Sequence, residues 1–221
     1  MIVLGLDTAL AACSVAVTRD GQVLAAASEP MMRGHQERLA PMTAEVMAAA
    51  RLPFAALDRV GVTVGPGSFT GLRVGLAFAK GLGLALGKPC IGVGSLEALA
   101  ASAPGPGLTA AVIDARRDQV YLQAFEGEAA VMAPDALPVA IAAARLAELW
   151  RGGPLRLVGP GAPLLAGIAP EVFVIERAAP DPVAVCALAA GRATPARPLY
   201  LRAPDAKLPG GRELGGRDLV E

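Results

Sequence analysis

The sequence predicts an α/β protein built from two halves of βββαβαβα type, the second reduced. Three observations carry this. An apolar run ending on an aspartate occurs twice, as MIVLGLDTA at 1–9 and LTAAVIDAR at 108–116. Each run is followed by a second strand across a short turn. A GPG tripeptide then recurs straight after a strand in each half, at Gly65–Gly67 and Gly159–Gly161. Hairpin-joined strands followed by strands alternating with helices make a mixed sheet covered by helices. With 54% apolar and 18% charged residues the chain can bury a sizeable core. Aromatics are only 4%, so that core is built from Ala, Leu, Val and Gly.

In the first half, residues 2–7 read as a buried strand ending on Asp7. Residues 13–18 and 22–28 are two more strands, and Asp20-Gly21 between them is a hairpin turn signal. Residues 35–51 have helical character, with Pro41 either kinking the helix or marking its true first turn. Residues 59–64 form a strand, followed by a glycine loop and a helix over 70–87 with Thr70 as a possible N-cap. Residues 90–93 form a short strand, and Ser95 is expected to cap a helix over 96–102 with Glu97 in its first turn.

APGPG at 103–107 is the best divide between halves. Beyond it, strands are expected at 108–116, 119–125 and, less legibly, 129–132. A helix at 138–150, strands at 155–158 and 172–175, and a helix at 181–192 complete the pattern. The expected organisation is a first subdomain at 1–103, a smaller one at 104–202, and a flexible tail at 203–221 rich in Gly, Pro and charge. Two such halves side by side are the architecture of the actin-like ATPase fold, shared by sugar kinases, Hsp70 and actin. Nucleotide lies there in the cleft between halves.

Twenty basic and twenty acidic residues cancel, so the chain lacks the positive surface that nucleic-acid binding requires. Cys13, Cys90 and Cys186 are odd in number and widely spaced, which argues against a disulfide framework and for free thiols in a reducing compartment. The N-terminus has no basic n-region, and Asp7 interrupts its apolar run. No uncharged apolar stretch is long enough to span a bilayer, since Arg73 and Lys80 interrupt 71–87. A cytoplasmic protein without membrane contact is expected.

Asp7 and Thr8 stand where this fold places its first phosphate-contacting turn. An Asp there can hold a metal-bound water, and a Thr hydroxyl can donate to phosphate. Kinases of the fold usually have a glycine between acid and hydroxyl, and Asp7-Thr8-Ala9 has none. Asp7 is therefore either a phosphate-site acid or a strand-ending turn cap. The loop Gly65-Pro66-Gly67-Ser68-Phe69-Thr70-Gly71 leads to a helix N-terminus, which suits an anion. It lacks the lysine of a P-loop, because Leu72 follows Gly71. Asp7, Thr8, Gly65, Gly67, Ser68 and Thr70 thus make a possible vestigial nucleotide loop. A small-molecule kinase or ATPase using them is the alternative function. His35 is the sole histidine, and HQERL puts Leu39 where a second metal ligand would be needed. No GxSxG elbow accompanies it. Neither a metallopeptidase nor a serine hydrolase is supported, and no metal, cofactor or catalytic residue is assigned.

The helix at 70–87 carries Gly71, Gly75, Ala79, Gly83 and Gly87 at i+4 spacing. A stripe of small residues lets another backbone approach closely. It packs either on the chain's own sheet and the helix at 35–51, or on a partner. With Met42, Met47 and the alanines of the first helix, it could present a flat apolar surface.

GLDTALAACSVAV, HQERLAPM, VTVGPGSFTGLRVGLAFAKGL, IDARRDQVYLQAF and PLYLRAPDA occur in that order. Together they resemble the TsaB (YeaZ) family, and the run GPGSFTGLR is the most distinctive piece. The resemblance spans nearly the whole chain. It implies an actin-like fold and a part in making threonylcarbamoyladenosine in tRNA, as an inactive relative of the transferase TsaD. TsaD carries a metal-binding HxxxH; here His35 is followed by Leu39. It further implies pairing with a TsaD-like subunit through the helices at 35–51 and 70–87, joined by a TsaE-like ATPase. Homodimers are implied when the chain is alone, and tRNA is met only through the complex. His35, Leu39, Met42, Met47, Leu72, Gly75, Leu76, Ala79 and Gly83 are the expected interface residues. On that reading Gly75→Leu or Gly83→Leu weakens partner binding and leaves the monomer folded.

Overall fold

The computed structural model describes residues 1–169 and 171–202, so the expectation for the tail at 203–221 lies outside the described residues. The first half runs β1 (Ile2–Asp7), β2 (Ala12–Arg19), β3 (Gln22–Pro30), α1 (His35–Ala49), β4 (Arg59–Gly65), α2 (Phe69–Leu86), β5 (Cys90–Gly94) and α3 (Ser95–Ala101). The second runs β6 (Leu108–Arg116), β7 (Gln119–Glu126), β8 (Ala129–Pro138), α4 (Val139–Leu149), β9 (Leu155–Val158), β10 (Val172–Ile175) and α5 (Pro182–Ala190). The sheets have strand orders β3-β2-β1-β4-β5 and β8-β7-β6-β9-β10, the same order in each half. The duplication read in the sequence is thus a duplication of topology. The reduction is local: where the first half has the 18-residue α2, the second has a seven-residue 3-10 segment, Ala162–Ile168.

Several boundaries differ from expectation for identifiable reasons. β8 runs on past 132 to Pro138 because it is an edge strand, where Pro134 and Pro138 need not donate to a ladder. Pro41 lies inside α1 on its exposed side, where solvent can take the carbonyl it leaves free. The N-cap of α2 is Ser68, not Thr70, and Ser68 Oγ accepts from the Gly71 N–H at 3.3 Å. Ser95 is the first helical residue of α3 and Gly94 its cap, whose N–H donates to Glu97 Oε2 at 3.1 Å. The turn from β6 to β7 takes Arg116, Arg117 and Asp118 through positive φ, at 64°, 55° and 56°.

One face of the first sheet carries α1 and α2. Leu39, Met42, Val46 and Met47 of α1 join Leu76 and Ala79 of α2 over Leu4, Leu6, Val15, Val60 and Val62. The opposite face carries α5, which comes from the second half. It lies on Gly5 of β1 and Gly61 of β4, which are direct neighbours in the sheet. A Cβ on Gly5 would fall 2.7 Å from Cys186 Sγ, and one on Gly61 would fall 2.6 Å from Ala189 Cβ. Only glycine lets the helix sit this close. Arg59 holds the end of α5, its Nη1 donating to the carbonyls of Ala189, Ala190 and Arg192 at 3.0, 3.0 and 2.8 Å. Reciprocally, Leu96 and Leu99 of α3 pack on Ala111, Ile113, Phe125 and Val158 of the second sheet. Contacts therefore cross the divide at 103–107 in both directions.

Candidate functional site

Asp7 ends β1 beside Thr63 of β4, because the parallel register sets Leu6 against Val62. Thr63 Oγ1 donates to Asp7 Oδ1 at 2.6 Å, and the Ala9 N–H donates to the same oxygen at 3.2 Å. Asp7 is fully buried, and its Oδ2 has no partner. Burial pushes the carboxyl up to about 6, outweighing the two donors that lower it. Thr8 is equally buried, and its hydroxyl donates to the Gly71 carbonyl at 2.8 Å.

The loop before α2 is fastened to the same turn. Ser68 N–H donates to the Ala9 carbonyl at 2.7 Å. Gly67 and Gly71 press on the carbonyls of Ala9 and Thr8, where a side chain would overlap them. Gly65, at φ 118°, lies against the Leu199 carbonyl, while the Leu199 N–H donates to Val64 at 2.8 Å. Asp7, Thr8, Gly65, Gly67 and Ser68 are therefore brought together, but their partners are other residues of the chain: Thr63, Ala9, Gly71 and Leu199. Thr70 is exposed and stands apart from this network. The glycines permit two turns to meet, and the Thr8 hydroxyl is already committed.

His35 opens α1 as its first residue. It is buried, with Nε2 unpartnered, and Leu39 lies one turn on. Among the described residues no three of His, Cys, Asp and Glu come together as a metal-ligating group.

The expected interface residues turn inward, which corrects the surface reading of them. Leu39, Met42, Met47, Leu72, Leu76 and Ala79 are at most 6% exposed, in the chain's own core. A Cβ on Gly75 would fall 2.5 Å from Thr8 Oγ1, and one on Gly83 would fall 2.9 Å from the Lys88 carbonyl. The stripe of small residues thus lets α2 approach its own sheet and turns. Leucine at either glycine would disturb the monomer first.

A second small-residue register, missed in the sequence, points outward. On α2 it is Ala77 and Gly81, flanked by Arg73 and Leu84; on α1 it is Ala40, Ala44 and Ala48. Leu84 is 86% exposed, and a Cβ on Gly81 would meet nothing within 4 Å. The two helices pack against each other on the same face of the first sheet. Near the start of α2, Phe69 lies under the Arg73 guanidinium, 3.7 Å from ring centroid to Cζ, and 5.9 Å from the Tyr200 ring. By length and composition alone α2 is apolar enough to cross a membrane. In the fold its buried face is packed on the sheet.

A family model described as TsaD, tRNA N6-adenosine threonylcarbamoyltransferase, matches residues 26–157. Escherichia coli TsaB, a tRNA threonylcarbamoyladenosine biosynthesis protein, is 37% identical over 129 residues, 57% of this chain and 55% of that protein. The solved structure of YeaZ from Pseudomonas aeruginosa superposes with a TM-score of 0.78 at 30% identity, over 90% of this chain and 99% of that one. The chain belongs to the TsaB (YeaZ) family. The Mycobacterium tuberculosis protein Rv3421c is 38% identical over 209 residues, 93% of each chain. A ROK hexokinase from Thermus thermophilus superposes with a TM-score of 0.55 at 14% identity, over 86% of this chain and 98% of that one, which places the TsaB-family fold among the actin-like ATPases. The family's pathway is tRNA threonylcarbamoyladenosine biosynthesis.

Proposed function

We propose that this chain is a non-catalytic subunit that binds a TsaD-like transferase and organises threonylcarbamoyl transfer to N6 of the tRNA adenosine beside the anticodon. One observation carries the reading: α1 and α2 pack together and each exposes small residues, alanines on α1 and Ala77 and Gly81 on α2, the latter beside an almost fully exposed leucine. Such faces admit a partner helix at short range. His35, Leu39, Met42, Met47, Leu72, Gly75, Leu76, Ala79 and Gly83 lie beneath and hold the two helices in place. Ala44, Ala77, Gly81 and Leu84 make the contact. Alone, the chain pairs with a second copy through the same faces, and a TsaE-like ATPase joins the heterodimer. Neutral net charge fits a subunit that meets tRNA only within the complex, in the cytoplasm and without a cofactor of its own.

The buried, hydrogen-bonded Asp7 and the committed Thr8 hydroxyl support the non-catalytic part of the reading over the kinase alternative. The test is Gly81→Trp, which adds bulk where a side chain meets open space. It should abolish co-purification with the TsaD-like subunit of the same organism and reduce threonylcarbamoyladenosine formation in a reconstituted system. The variant's melting temperature should stay near wild type. Unaltered pairing and unaltered activity would refute the assignment of this face.

A further inference from the structure

Away from the paired helices, a cavity of about 550 Å³ opens between α3, α5 and one end of the second sheet. Ala100, Phe125, Ala187 and Leu188 give it an apolar lining. Arg156 is in its wall, at the second position of β9, an LRLV strand buried along its length. An arginine there is 9% exposed. Its Nη2 donates to Thr109 Oγ1 at 2.5 Å, and its Nε is buried with no partner. Among the described residues no carboxylate pairs with it. Gly105 makes room for the group, since a side chain at 105 would overlap Nη1.

A guanidinium remains charged even where burial lowers its pKa, as burial does here. Leaving such a charge buried and unpaired is costly, and removing the requirement for it would be easy, since a methionine fills similar space. The other charges at the cavity do not answer it. Arg192 and Glu97 neutralise each other at 2.7 Å, and Glu128 is exposed at the edge. What is left is one cation on an apolar wall, with donors in a planar fork that matches a carboxylate.

We propose that this cavity binds a small organic anion, a monocarboxylate with an apolar body, whose head pairs with Arg156 and whose body lies against Phe125 and Leu188. A phosphate dianion fits less well, because a single unpaired cation faces it and Glu128 repels it. The proposal is independent of the partner-binding reading.

The test is an amide NMR titration of the full chain with octanoate, 1-octanol and octyl phosphate. Octanoate should shift the amides of Gly105, Thr109, Arg156 and Leu188. It should bind about ten- to a hundredfold more tightly than 1-octanol, as expected for charge-assisted hydrogen bonds. Arg156→Met should erase that margin and leave octanol binding unchanged. Equal affinity for octanoate and octanol, or unmoved amides at millimolar octanoate, would overturn the proposal. Octyl phosphate binding more tightly than octanoate would overturn the choice of a carboxylate. The octanoate–octanol comparison uses the unaltered protein, so it decides the matter even if Arg156→Met does not fold.

Discussion

Asp7→Asn should stabilise the protein, and by an amount that depends on pH. In the fold the carboxyl is pushed up to about 6 by burial, from an ordinary 3.8. Between those values the native state holds a proton that the unfolded chain releases, so stability falls as pH rises. The penalty begins near pH 4 and is complete above pH 6. A gap of about two pH units corresponds to about 3 kcal/mol. Asparagine keeps an oxygen to accept from Thr63 and Ala9, and its amide takes the place of the unpartnered Oδ2, as the protonated acid does. Relative to wild type, its advantage should grow from about 1 kcal/mol at pH 4.5 to about 3 kcal/mol at pH 8. Urea unfolding of both proteins across that range measures it, and taking the difference cancels the other titrating groups. An advantage that stays flat with pH, or an Asn variant less stable at pH 8, would refute the reasoning. A flat advantage would mean that the fold holds a charged Asp7 without penalty, as a kinase-like cation site requires; a loss at pH 8 would mean that the amide donors find no acceptor at the Oδ2 position.

Two glycines of α2, six residues apart, should respond oppositely to alanine. Gly75→Ala drives a methyl to 2.5 Å from Thr8 Oγ1 and should cost about 1–3 kcal/mol, whereas Gly81→Ala points into open space and should gain about 0.5–1 kcal/mol. Thermal melts check both, and shifts of the same sign would contradict the packing described. Burial pushes the thiols of Cys13 and Cys186 up to about 11 and about 12. With a disulfide reagent at pH 8, these two should react only on unfolding, and half-buried Cys90 should react first. Reaction of Cys186 at the rate of a free thiol would contradict its place on the face of α5 that is seated on the first sheet.

The succession of elements and the duplication were legible because each half repeats an apolar run, an aspartate and a hairpin. The position of α5 was not. PVAVCALAA is apolar on every side, so its pattern announces burial without saying against what. Only the pair Gly5 and Gly61, far away in the chain, marks its seat. The i+4 glycines of α2 were correctly read as a device for close approach, but their direction was misassigned. Small residues occupy two registers of the same helix, and spacing alone does not say which faces the sheet. Thr8 settles it, since Gly71 and Gly75 both lie against that residue. Arg156 had a visible signal that went unused: a charge inside an otherwise apolar, fully buried strand. The Thr8 hydroxyl donates to the Gly71 carbonyl, a contact between distant turns that the run Asp7-Thr8-Ala9 does not announce.

The exchange of α3 and α5 between the sheets has a consequence for how the chain matures during synthesis. The first 103 residues emerge from the ribosome with all five strands of their sheet, but the helix that seats on Gly5 and Gly61 begins some eighty residues further on and is made later. Until residue 190 is made, α3 covers part of that face, and Gly5 and Gly61 lack the helix that seats on them. An N-terminal unit that folds before the next is made would here do so without one of its covering helices. The native packing of the first sheet is complete only when the last helix of the second half is in place.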